Sequence, residues 1–155
     1  MLALRIGGWA NLAIAAAHLI ALGWAWTVFR WVDIEQEMRE LADQHAALPY
    51  LLTVAVAAFF FAFGLYALSA AGNLRRLPLL RPVITLIAVI YLLRATLFGG
   101  IADVLAHDVK QSAFAAIALL IGLCYASGAV AHRRQRRETA TDRVDLQAAQ
   151  HSAGV

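Results

Sequence analysis

Among the polar side chains that interrupt otherwise apolar runs of the chain, six are candidates for chemistry: Asn11, His18, Tyr66, Tyr91, Arg94 and Tyr125. Arg94 lies within IYLLRATLFGG, Ile90–Gly100, a stretch that otherwise reads as membrane-spanning. A guanidinium there either snorkels to headgroups or supplies a fixed positive charge inside the membrane. Tyr91, three residues earlier, is its helical neighbour, and Asn11 and His18, seven apart, share one helix face. If Arg94 faces its neighbouring helices, burial and its charge both disfavour an imidazolium at His18. A guanidinium with a neutral imidazole N–H then suits an anionic or strongly polar group. A phospholipid phosphate, a carboxylate or a carbonyl ligand such as a quinone meets that description. The plainer readings are a His18 ring bonded to a backbone carbonyl or another helix, and tyrosines that pack with a satisfied hydroxyl.

Other chemistries lack their residues. No carboxylate lies within the apolar blocks, which weakens a proton-driven transporter. No second histidine stands there to pair with His18 on a haem, so no cofactor is expected. Paired acids, a nucleophile–base pair and a metal cluster are also missing from the pattern, so no catalytic residue or metal site is assigned. Cys124 is the only cysteine; it permits no internal disulfide and reads as a small apolar packing residue. The expected class is therefore a binding or accessory protein. A small transporter or channel, building its pore as an oligomer, is the alternative, and a membrane redox or lipid-modifying enzyme using His18 is weaker.

These residues need a scaffold that is itself apolar. The chain is 62% hydrophobic with a mean hydropathy of +0.68, against about 45–50% apolar in soluble domains. Four blocks, about 6–29, 50–71, 82–98 and 112–131, approach the roughly 20 helical residues that cross a bilayer core. Short connections make a four-helix transmembrane bundle over residues 1–132 the expected fold, all-α, with membrane lipids around it. Arg5 ahead of an apolar run, with Ala21–Gly23 behind it, has the outline of a cleavable leader, but the run is long for one and is read as a span.

Basic residues mark the sides. Arg5, the group Arg75, Arg76 and Arg81, and HRRQRR at His132–Arg137 fall on one side; Arg30, Arg39 and Lys110 fall on the other. The positive-inside rule puts both termini in the cytoplasm, and Trp24, Trp26 and Trp31 form an aromatic belt at the outer end of the first span. The net charge of +3 sits at block ends without a nucleic-acid-binding motif, so no nucleic acid is expected as a partner.

At 1.5 Å per residue, His18 lies about 20 Å beyond Arg5, and Arg94 about 18 Å beyond Pro82, at matching outer depth. Asn11, Tyr66 and Tyr125 form a second layer, about 9–10 Å from the cytoplasmic boundary. Between the first two spans, Ile34, Met38, Leu41 and His45 recur at helical spacing and predict a short amphipathic helix on the outer surface. Its acids offer Arg94 a charged partner. Gly72 and Asn73 suit a helix end, and Pro82 a helix start. Ala13, Ala17 and Ala21, and again Ala118, Gly122 and Ala126, form small-residue stripes that allow close helix contact within the chain, in a homo-oligomer or with a partner membrane subunit. Residues 133–155 read as a disordered polar tail.

The run FGLYALSAAGNLRRLPLLRPVITLIAVIYLLRATLF resembles a group of small four-span proteobacterial inner-membrane proteins. They share a YALSAAG…RLPLLR…LLRG-like core and a histidine in the first span. The matching positions are Tyr66–Gly72, Leu77–Arg81, Arg94 and His18, with Ala95 where the group has glycine. The resemblance covers the second and third spans and implies a bacterial inner-membrane protein; it supplies no activity.

Overall fold

The computed structural model describes residues 2–75, 77–96 and 109–153, with side chains as far as Ala131. Every regular element among them is helical. The order is α1 (Leu2–Ala21), a 3-10 turn (Leu22–Trp24), α2 (Ala25–Trp31), α3 (Glu35–Gln44), α4 (Leu48–Ala70), α5 (Leu80–Thr96) and α6 (Val109–Ala153). α1 packs along α4 and α6, α5 lies chiefly on α6, and α3 leans against α4.

Three stretches are long and apolar enough to cross a membrane: Leu2–Trp31, Leu48–Ala70 and Val109–Ala131. Between 17% and 33% of their most apolar windows is buried within the chain. Most of that apolar surface faces outward, including Trp9, Ile20, Phe59 and Leu120. An apolar surface of this extent marks contact with lipid. The expected four spans are thus met by three. α5 has 17 residues, about 26 Å of helix against a core of about 30 Å. The continuation expected through Leu97 and Phe98 lies outside the described residues, as does Arg76 in the turn before α5.

Small residues set the helix spacing. A Cβ on Gly64 of α4 would lie 2.8 Å from Leu12 and 2.9 Å from the Gly8 carbonyl oxygen of α1. The two backbones approach closely there because neither position carries a side chain. The buried face of α1 is Leu4, Gly7, Gly8, Asn11 and Ala15. Ala13 and Ala17, in the expected stripe, are exposed, whereas Ala118 and Gly122 are buried, Gly122 beneath Tyr91 and Leu92.

α4 ends in a tight cap. The Asn73 N–H donates to the Leu68 carbonyl and the Gly72 N–H to the Ser69 carbonyl, and Gly72 has φ +81°. This left-handed residue after the helix is why glycine serves at that point. The buried Ser69 hydroxyl then donates to the Arg75 carbonyl and accepts from the Leu77 N–H, folding the α4–α5 turn back on the helix.

The far end of the chain differs from the sequence expectation. α6 does not stop near Ala131 but continues as backbone helix to Ala153, through the segment read as a disordered tail. No glycine or proline occurs from Ala129 to Ala153. Extending an existing helix requires no new nucleus, so the polar segment propagates it.

Candidate functional site

The buried polar centre of the bundle is built by three side chains and two main-chain carbonyls. Asn11, fully buried on α1, donates from Nδ2 to the Gly7 carbonyl at 3.0 Å and to the Tyr125 hydroxyl at 3.0 Å. Tyr91 on α5 donates its hydroxyl to Asn11 Oδ1. Tyr125 on α6 donates to the Phe63 carbonyl of α4 at 2.8 Å. The tyrosine rings stack with centroids 6.1 Å apart and an interplanar angle of 27°. Phe63 meets Tyr91 edge-on at 6.4 Å. One amide thereby joins four helices.

The direction of these bonds decides what the centre can do. Proton donation runs from Tyr91 to Asn11, from Asn11 to Tyr125, and from Tyr125 to the Phe63 carbonyl. Both amide protons and both hydroxyl protons are used. No donor is left to bind a phosphate, a carboxylate or a quinone carbonyl. Asn11, Tyr91 and Tyr125 form a closed polar clamp.

The other sequence candidates lie outside this clamp. Tyr66 is half-buried against the apolar core and takes no part in it. His18 is half-buried on α1, with Nδ1 at 2.8 Å from the Ile14 carbonyl and its ring 5.1 Å from that of Phe60 on α4. A carbonyl only accepts, so the proton of that bond is on Nδ1. Arg94 is half-buried on α5, one turn beyond Tyr91. His18 therefore bonds its own helix, and no hydrogen bond joins it to Arg94 among the described residues. Two of the α3 acids, Glu35 and Glu40, bond neighbours on α2 and α3. Glu35 holds Arg30 and Arg39, Gln36 bonds Glu40, and Glu37 is exposed.

That second polar cluster closes the connection between α1 and α4. Glu35 pairs with Arg30 Nε at 2.8 Å and Arg39 at 2.5 Å, and the Arg39 guanidinium stands 5.3 Å over the Trp26 ring. The Arg30 hydrogen bond, followed by that of Arg39, holds the Glu35 carboxyl down to about 2. Beneath the charges, Met38 and Leu41 pack on Ala25, Phe29 and Trp26. At the corner, Asp33 has φ 62°. Lys110, in the first turn of α6, pairs with Asp33 at 2.5 Å and donates to the Trp31 carbonyl at 3.1 Å. Sequence reasoning did not assign Glu35, Asp33 or Lys110. The four-residue spacing of Glu35 and Arg39 was the one local signal for the first pair, and nothing local marks Asp33 and Lys110 as partners.

No group of His, Cys, Asp and Glu among the described residues is arranged to hold a metal ion. Comparisons with protein-family models, with curated proteins and with solved structures return no match.

Proposed function

We propose that this chain is a four-span protein of a bacterial inner membrane with both termini in the cytoplasm. In this reading α5 continues past Thr96 as the fourth crossing. Its class is binding or accessory: it holds a lipid-like ligand with a polar head, or a partner subunit, in the outer half of the bundle near His18 and Arg94. One observation carries the reading. Asn11, Tyr91 and Tyr125 satisfy one another, which leaves His18 and Arg94 as half-buried polar side chains of the apolar helices outside that network. Ionisable side chains are costly and rare at such depth, and where they occur they mark functional contacts before packing contacts. The basic ends of α1 and α4–α5, together with the arginines after Ala131, support the orientation.

Mass spectrometry of the protein extracted with its native lipids and neighbours tests this. A ligand or subunit retained by the wild type should be lost from Arg94→Leu and partly kept by Arg94→Lys, which preserves the charge but not the fork. Identical bound species in wild type and Arg94→Leu would remove the site.

A further inference from the structure

His18 has a fixed polarity, and that polarity selects the ligand. Its one N–H, at Nδ1, is spent on the Ile14 carbonyl 2.8 Å away. No carboxylate stands in the apolar helices to pair with an imidazolium. In the neutral ring the second nitrogen, Nε2, is then an acceptor only. Every fully buried side-chain nitrogen or oxygen among the described residues has a hydrogen-bond partner. Nε2 has none, so it belongs to the accessible part of this half-buried side chain. His18 lies about 20 Å along the helix from Arg5, at a depth where water is scarce. An open acceptor there is completed by a proton donor dissolved in the membrane.

We propose that His18 Nε2 accepts a hydrogen bond from the hydroxyl of a membrane-soluble amphiphile, a phenol or a lipid alcohol. The inference rests on the membrane placement proposed above and replaces its ligand class. A phosphate, a carboxylate or a quinone carbonyl has no proton to give Nε2, and its lone pairs would oppose the nitrogen lone pair. An ammonium head has the proton but carries a full charge, which apolar surroundings disfavour. A hydroxyl donates to Nε2 and keeps an oxygen that can accept a further hydrogen bond. The tilted Phe60 ring, 42° from the imidazole plane, gives an aromatic head a surface to pack against.

The test uses the full-length protein in lipid nanodiscs, with the histidines labelled with nitrogen-15 and His18→Phe identifying the His18 signals. The probes are p-octylphenol and its methyl ether, alike in shape and differing in the donor. The wild type should show the proton on Nδ1. Its Nε2 resonance should move upfield, saturably, with the phenol and stay in place with the ether. A proton found on Nε2, or an equal response to phenol and ether, would overturn the proposal. So would an unmoved Nε2 in protein whose native ligand is lost by Arg94→Leu; the binding reading would then stand and the hydroxyl assignment fall. The shifts themselves are read on the wild type, and His18→Phe serves only to assign them.

Discussion

The Asn11 amide and the Tyr125 hydroxyl, 114 positions apart in the chain, meet at 3.0 Å in the middle of the bundle. That bond sets the register of α1 against α6. Through Tyr91 and the Phe63 carbonyl, the same two residues bring in α5 and α4. Apolar helices in lipid slide against one another with little penalty, because the surface they leave is as apolar as the surface they gain. A polar clamp with each proton assigned permits one register only.

The two tyrosines should therefore differ in their worth. Tyr125→Phe leaves one Asn11 N–H without an acceptor in a dry site, whereas Tyr91→Phe leaves only a spare acceptor on Oδ1. Hydrogen bonds between membrane helices contribute about 0.6 kcal/mol on average and up to about 1.7. Tyr125→Phe should fall at the upper end, near 1.5–2 kcal/mol once the stranded donor is included, and Tyr91→Phe below about 1. Reversible unfolding in mixed micelles measures both. Equal costs would mean that the donor order is wrong.

The apolar blocks, the glycine end of α4 and the α3 helix were all legible in the sequence, because each depends on local composition or spacing. The clamp was only half legible. Asn11 and Tyr125 fell in one layer when depth was counted along the backbone, but Tyr91 was placed with Arg94 and Tyr66 took its position. Helical side chains lean toward the N-terminus, and a tyrosine is long enough for that lean to move its hydroxyl by about a turn. The α1 stripe failed for another reason. Ala13–Ala17–Ala21 and Leu4–Gly8–Asn11–Ala15 are both helical faces with small residues, and spacing alone does not say which one meets a neighbour. Asp33 and Lys110 meet only because the bundle closes.

Gly64 gives the test of that closure. Its missing Cβ lets the Gly8 carbonyl approach, and backbone cannot swing aside as a side chain can. Gly64→Val should separate α1 from α4 and cost about 1–3 kcal/mol, the range for overpacking a filled core. Gly23, with open space around it, should accept alanine without comparable loss. A cross-link yield between cysteines placed on α1 and α4 would report the separation. An unchanged yield and stability for Gly64→Val would count against the close approach of Gly64 to Gly8.

The Glu35 cluster makes a prediction about acid. Hydrogen bonds from Arg30 and then Arg39 hold the carboxyl at about 2, below its ordinary 4.5. A depressed carboxyl contributes stability that is fully present above the unfolded value and fades as pH falls toward the folded one. The docking of α3 should thus be constant above about pH 5 and weaken between about 4.5 and 2. Trp26 lies under Arg39, so its fluorescence reads the change. Glu35→Gln should remove the acid transition in that signal, and high salt should weaken the pairing at neutral pH, since the charges are exposed. A Trp26 signal with the same acid midpoint in Glu35→Gln would assign the transition to another group.

The number of crossings decides where the ends of the chain lie. α1, α4 and α6 alone make three crossings and put the termini on opposite sides. If α5, with its 17 described residues, also crosses, by local thinning of the bilayer or by continuing past Thr96, the termini share a side. The charge pattern favours the second case. With three crossings, one of the two arginine groups, Arg75–Arg81 or Arg133–Arg137, would have to lie on the outer face, against the usual bias. In a Cys124→Ala background, single cysteines replacing Ala3 and Ser152 should both resist an impermeant maleimide in intact cells and react after permeabilisation. A cysteine replacing Glu37 on α3 should react without it. Labelling of Ser152→Cys from outside, with Ala3→Cys protected, would establish three crossings and leave α5 as a helix packed within the bundle.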